Sequence, residues 1–142
     1  MLYDNLAVNE KGHLTVSGYD TKELAEQFGT ALMLLDETVI RRRCRTYLSA
    51  MKEAFPAGSM PLFASKALSF KAIYQIMKEE GMGIDVVSAG ELHTAVAAGF
   101  PVENAFFHGN SKSDADISYA MDCGLGWFVC DNRDELFAID RE

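Results

Sequence analysis

Four short apolar segments recur at nearly constant spacing in the second half of the chain. Their positions Leu62, Ile84, Ala105 and Trp127 are separated by 22, 21 and 22 residues. Each of the first three is followed by a helical pattern that ends near a glycine, as in a strand–helix unit. This alternation predicts an α/β fold in which parallel strands are joined by right-handed helical crossovers.

Two architectures are built from such units, a doubly wound open sheet and a barrel of eight units. A barrel needs about 250 residues, whereas this chain of 142 residues holds three complete units and a fourth strand. In the barrel interpretation, the chain is the first half of a (β/α)8 TIM-type barrel. Residues 59–142 would form this partial barrel, and residues 1–58 an N-terminal extension with short strands and one amphipathic helix.

Within the extension, three local patterns predict structure. The apolar run Ala31–Leu35 suits a buried strand, and Asp36 is placed to cap the helix after it. In that helix, Arg41–Arg43 and Arg45 lie mainly opposite the apolar residues. A solvated face explains these arginines better than a phosphate-binding patch does.

Composition excludes several classes of function. The formal net charge is −8, from 13 basic and 21 acidic side chains, which argues against nucleic acid and anionic membranes as partners. No apolar stretch approaches the roughly 20 residues of a membrane span, and the N-terminus lacks a signal-peptide pattern. The three cysteines match no zinc spacing, so we expect reduced core thiols, no metal and a cytoplasmic protein.

Polar residues follow each predicted strand, where α/β folds gather their functional groups. Several of them also have a purely structural explanation. Ser88 and Glu91 form a capping-box pattern, in which the serine bonds forward to the helix amides and the glutamate bonds back. Asp131 fits a helix cap equally well, and His108 fits a residue that only hydrogen-bonds its loop. The candidates are Lys66, Asp85, Ser88, His108, Asn110 and Asp131.

Lys66 ends the first apolar run of this region. If the strand continues to it, Leu62, Ala64 and Lys66 share one face. A lysine among apolar side chains loses its proton readily, and a neutral amine attacks an aldehyde to form a Schiff base. The alternative is a solvated charge, as most strand-end lysines are.

Four motifs in order resemble diaminopimelate decarboxylases. They are Phe63–Ala67, Gly83–Leu92, Phe107–Ser113 and Phe128–Asn132. The resemblance implies a pyridoxal-phosphate enzyme on the barrel shared with alanine racemase, in which Lys66 holds the cofactor covalently. It also implies that Asp85 and His108 lie at the cofactor, with Glu91 in a supporting role and Asn110 near the site.

For the whole enzyme, the resemblance implies decarboxylation of meso-diaminopimelate to L-lysine and carbon dioxide by a cytoplasmic homodimer. The family's glycine-rich phosphate loop, its substrate-carboxylate contacts and its C-terminal β domain have no counterpart in this sequence. We therefore expect an N-terminal portion that is inactive alone, with an extension that packs on that β domain. The segment Gly29–Leu34 and Ser111 depart mildly from the family pattern.

Two alternative functions are also compatible with the sequence. The first is a related decarboxylase or racemase that acts on another basic amino acid, because the substrate contacts of the family lie outside these motifs. The second is a domain that binds pyridoxal phosphate or a partner protein without catalysis.

Overall fold

The computed structural model describes residues 3–142, and the chain divides into two compact units, of which the first ends at Arg43 and the second is Cys44–Glu142. The first unit contains an antiparallel sheet in the order β1-β2-β3, formed by Leu6–Val8, Leu14–Val16 and Tyr19–Asp20. Helix α1, Thr21–Phe28, follows directly. The short strands expected in the N-terminal extension are thus present.

Asp20 anchors the first unit, because it joins the sheet to α1. One carboxylate oxygen, Oδ1, accepts the backbone N–H of Lys22 at 2.9 Å and so caps the helix. The other, Oδ2, accepts from Asn9 Nδ2 at 2.8 Å and contacts His13 Nδ1 at 2.9 Å. Burial works to raise the pKa of Asp20, but the bonds from His13, Asn9 and the helix amides hold it well below its ordinary value.

The predicted buried strand at Ala31–Leu35 is wrong. These residues are exposed and form no ladder. An apolar run becomes a strand only when a neighbouring strand satisfies its backbone groups, and the sheet of this unit is completed by β1, β2 and β3. The predicted cap is confirmed, since Asp36 Oδ1 accepts the N–H of Val39 at 3.0 Å at the start of α2, Glu37–Ala54.

The second unit contains a parallel sheet in the order β4-β5-β6-β7, which confirms the α/β prediction. The order follows the sequence without reversal, as strands do in a barrel and not in a doubly wound sheet. The strands are Leu62–Ala64, Gly83–Val86, Ala105–Phe107 and Trp127–Phe128. The helices after them are α3, Lys71–Glu80; α4, Ala89–Ala97; α5, Asp114–Asp122; and α6, Arg133–Arg141.

The two faces of this sheet differ in burial. Side chains on one face form the core with the helices, and burial of each large apolar side chain there stabilises the fold by about 1.5–3 kcal/mol. The buried set includes Ile84, Val86, Ala105 and Phe107 from the strands and Tyr74, Met77, Leu92 and Ile117 from the helices. The other face carries a row in register across all four strands, namely Ala64, Asp85, Phe106 and Trp127. Trp127 is 58% exposed and stacks on Phe106.

Local signals set the ends of the helices. Gly81 adopts the left-handed conformation, φ 77° and ψ 24°, that ends α3 as predicted. Ser113 and Asp116 form a capping box at the start of α5. At α4 the prediction is only half right. Ser88 Oγ accepts from Glu91 N, but the Glu91 carboxylate accepts the N–H of Val87 at 2.8 Å, one residue before the cap.

Candidate active site

Lys66 lies just beyond the C-terminal end of β4. The strand stops at Ala64, and Ser65–Ala67 form one turn of 3-10 helix, so the alternation predicted for Leu62, Ala64 and Lys66 does not reach the lysine. The Lys66 side chain is exposed and not enclosed by apolar groups, which corrects the expectation of an apolar surrounding. Among residues 3–142, it makes no hydrogen bond or ion pair, so its amine is available to a ligand.

Asp85 and His108 come together at the same edge of the sheet. Asp85 is the third residue of β5, and His108 directly follows β6. The His108 N–H donates to Val86 O at 2.8 Å, which extends the pairing of β6 with β5 by one residue. As a result, His108 Nδ1 lies 3.7 Å from Asp85 Oδ2, with side chains 57% and 21% exposed. A carboxylate and an imidazole thus face solvent side by side.

The other sequence candidates have structural roles or no contact. Ser88 caps α4, and the Glu91 carboxylate accepts the N–H of Val87 in the turn before this helix. The cap of α6 is Asn132, whose side chain accepts the N–H of Glu135 at 2.9 Å, while Asp131 contributes only its backbone N–H. Asn110 is exposed in the loop after β6.

The structure reveals a buried ion pair that the sequence reasoning missed. Lys112 Nζ lies 3.0 Å from Glu135 Oε1, and the two side chains are only 1% and 6% exposed. Burial works to raise the pKa of Glu135, but the Asp131 N–H and the Lys112 ammonium lower it below its ordinary value. A signal for Glu135 was present, because it stands three residues after the cap Asn132, as Glu91 does after Ser88.

Two classes of site are not found in the described part of the chain. Residues 3–142 contain no group of three or more His, Cys, Asp or Glu side chains arranged to hold a metal ion. In the same range, no helix has the length and apolar character needed to cross a membrane.

Comparison with known proteins identifies the second unit. Residues 38–142 match the family described as pyridoxal-dependent decarboxylase, pyridoxal binding domain. Diaminopimelate decarboxylase of Bacillus methanolicus is 47% identical over 133 residues, which cover 94% of this chain and 31% of that protein. The chain thus spans about a third of the length of the curated relatives it matches.

Solved structures agree with this match. A crystal structure of diaminopimelate decarboxylase from M. jannaschii superimposes with a TM-score of 0.88 at 32% identity, covering 97% of this chain and 32% of that one. A second structure of that enzyme holds L-lysine. Lysine/ornithine decarboxylase from Vibrio vulnificus, complexed with putrescine, gives a TM-score of 0.72 at 33% identity over 85% of this chain and 32% of that one. The chain therefore belongs to the pyridoxal-dependent decarboxylases, with its second unit in their pyridoxal-binding domain family.

Proposed function

We propose that this chain supplies the cofactor lysine and part of the active site of a decarboxylase that converts meso-diaminopimelate to L-lysine and carbon dioxide. The observation that carries the proposal is an accessible, unengaged lysine amine, Lys66, at the sheet edge of a pyridoxal-binding domain. The curated relative at 47% identity is named for this activity. The related M. jannaschii enzyme was solved with L-lysine, the product expected here.

The residues at this edge fit pyridoxal phosphate. An aldehyde requires a primary amine that is accessible and not held in an ion pair, and within residues 3–142 Lys66 meets both conditions. Asp85 and His108, 3.7 Å apart on the neighbouring strand ends, offer a carboxylate and an imidazole to the polar groups of a pyridine ring. We assign Lys66, Asp85 and His108 to cofactor binding, and Lys66 to catalysis.

Each residue has a distinct task in this proposal. Lys66 would hold the cofactor aldehyde through its accessible ε-amine. Asp85 and His108 orient the bound ring from one side. When bound, pyridoxal phosphate accepts the electron pair left on the substrate α-carbon as carbon dioxide departs.

The remaining parts of the proposal concern the whole protein. We propose that residues 59–142 are the portion of the barrel present in this chain, and that the complete enzyme is a cytoplasmic homodimer. Cys44, Cys123 and Cys130 form no disulfide, as is usual in a reducing compartment. Cys44 is buried as expected of a core thiol, whereas Cys130 is exposed, so that expectation is wrong for Cys130.

A second candidate substrate is another basic amino acid. The structural likeness to a lysine/ornithine decarboxylase favours it, although that likeness covers 85% of the chain and the likeness to the M. jannaschii enzyme covers 97%. The fold is common to both, so substrate choice has to be measured.

Two experiments test the proposal. In the first, the chain is incubated with pyridoxal phosphate, reduced with borohydride and analysed by peptide mass spectrometry. We expect one modified peptide, which contains Lys66 and disappears in Lys66→Ala. Lys71→Ala, an equal change at an exposed lysine five residues away, should leave it in place. Modification spread over several surface lysines would contradict the assignment.

The second experiment tests the reaction and the substrate. This chain replaces the matching segment of the B. methanolicus relative, and carbon dioxide release is measured from meso-diaminopimelate, L-lysine and L-ornithine. We expect release from meso-diaminopimelate that depends on Lys66. Release from ornithine instead would favour the second candidate, and no release with Lys66 still modified would indicate a domain that binds cofactor without catalysis. The 142-residue chain alone should release none.

A further inference from the structure

We propose that Lys112 is a positioning residue, whose buried ammonium holds the loop 108–112 so that the His108 ring stands beside Asp85. The importance of that pair for cofactor binding rests on the proposed function. The effect of Lys112 on the position of the His108 ring is a property of the chain and can be measured without cofactor.

The Lys112 ammonium is the centre of a node that joins three segments. Its Nζ donates to Gly109 O at 2.7 Å in its own loop, to Val129 O at 3.0 Å just after β7, and to Glu135 Oε1 at 3.0 Å in the first turn of α6. An ammonium has three hydrogens to donate, so this set of acceptors satisfies it completely. The centroid of the Phe107 ring lies 5.6 Å from Lys112 Nζ, so the ring covers another side of the ammonium.

Glu135 is held as firmly as its partner. Its second oxygen, Oε2, accepts the N–H of Asp131 at 2.7 Å, and its own N–H donates to Asn132 Oδ1 at 2.9 Å. Any movement of the Glu135 carboxylate would therefore break the hydrogen bonds at the start of α6. A buried ion pair often stabilises a fold no more than apolar residues of the same size would. The benefit of this pair is therefore geometric, because it sets the spacing between two neighbouring loops.

The node fixes the backbone on both sides of His108. On the N-terminal side of the His108 Cα, the backbone N–H of His108 donates to Val86 O at 2.8 Å. On the C-terminal side, the carbonyl of Gly109 accepts from Lys112 Nζ. Gly109 itself adopts φ +100°, a conformation that only glycine takes readily. Without the ammonium, the second anchor is lost, and the flexible Gly109 lets the loop rotate. The His108 ring would then leave its place 3.7 Å from Asp85 Oδ2.

A coupling experiment on the full chain tests this directly. The chain contains three histidines, His13, His93 and His108, so the NMR spectrum shows three Cε1–H signals, of which His108→Gln identifies one. The measured quantity is the displacement of the His108 signal caused by Asp85→Asn, first with Lys112 present and then with Lys112→Met. We expect a clear displacement with Lys112 and none with Lys112→Met, while the His13 and His93 signals stay in place.

The matched control is Lys11→Met, which removes an ammonium from the exposed ion pair of Lys11 with Glu23. It should leave the coupling between Asp85 and His108 intact. If Lys112→Met fails to fold, Glu135→Gln is the decisive variant, because the glutamine keeps one oxygen to accept the Asp131 N–H and replaces the oxygen that accepts from Lys112 by an uncharged NH2 group. A reduced displacement in Glu135→Gln supports the proposal.

Three results would overturn it: an unchanged displacement in a folded Lys112→Met, an unchanged displacement in Glu135→Gln, or no displacement with Lys112 present. Borohydride trapping at Lys66 is measured in parallel. If trapping fails in the unmodified chain while the NMR coupling behaves as expected, the proposed function is wrong and the positioning role of Lys112 stands.

Discussion

Nδ1 of His108 and Oδ2 of Asp85 lie 3.7 Å apart, although the residues are in different strand–helix units. The distance is too long for a hydrogen bond and leaves both groups able to take another partner. Their proximity follows from the parallel register of β5 and β6, in which Val86 is opposite Phe107, the residue before His108. The pair is thus a consequence of strand pairing and not of local sequence.

If this pair contacts the cofactor, removing either partner should weaken binding. We expect His108→Gln and Asp85→Asn each to raise the Kd for pyridoxal phosphate about tenfold, which corresponds to a hydrogen bond to a charged group of about 1.4 kcal/mol. The measurement is a titration of the cofactor followed by its absorbance. His93→Gln, a change at a histidine on α4, is the control and should have no effect. Equal affinities for all three variants would exclude the pair from the site.

The buried pair of Lys112 and Glu135 should matter far more to stability than an exposed pair. Lys112→Met leaves a buried carboxylate without its partner, and we expect a loss of about 3 kcal/mol in the free energy of unfolding. Lys11→Met breaks an exposed pair, which water and salt screen, and should cost far less. The loss in Lys112→Met is measured by urea denaturation followed by the fluorescence of Trp127. The losses in both variants are measured by urea denaturation followed by circular dichroism. Similar losses for the two variants would mean that the Lys112 pair is well solvated.

Gly126 and Gly90 should respond to alanine in opposite directions. A Cβ on Gly126 would overlap the backbone carbonyl of Glu103, so Gly126→Ala should destabilise the chain by about 2 kcal/mol or more. The nearest atom to a Cβ on Gly90, Ser88 Oγ, is 3.8 Å away, and Gly90 lies in α4. Gly90→Ala should therefore stabilise by up to about 1 kcal/mol. Thermal unfolding of both variants checks the two signs together.

The first unit should lose stability in acid through Asp20. Its pKa in the folded chain is depressed below the unfolded value of about 3.9, so its contribution is fully present above about pH 5. That contribution is lost as the pH falls through about 4 toward the folded pKa. The difference in urea midpoint between the natural chain and Asp20→Asn, read from the His13 NMR signal, should be largest near pH 6 and shrink toward pH 2. A difference independent of pH would show that Asp20 acts only through its shape.

Several elements were predictable because their causes are local. The strand Ala105–Phe107 is a short apolar run between turn signals, and the capping box of Ser113 and Asp116 needs only four residues. The run Ala31–Leu35 shows the limit of such reasoning. Its composition suits a strand, but whether it forms one depends on a neighbouring strand to pair with, which no local pattern predicts.

The roles of Lys66, Asp85 and His108 in cofactor binding stay predictions, while their surroundings are known only from the fold. The turn Ser65–Ala67 exposes Lys66 where continued alternation would have turned it toward apolar neighbours. The pair of Lys112 and Glu135 joins residues 23 positions apart through two loops. Neither feature has a signature within a short window of sequence.

By itself, the sequence determined the parallel α/β class, the spacing of its strand–helix units, most helix ends and the family resemblance. These depend on hydrophobic periodicity, glycine conformation and capping, which act over a few residues. Only the tertiary structure decided that Asp85 meets His108, that Lys112 is buried against Glu135, and that Ala31–Leu35 stays exposed. Each of these depends on strand register and burial, which arise when segments distant in the chain compete for the same neighbours.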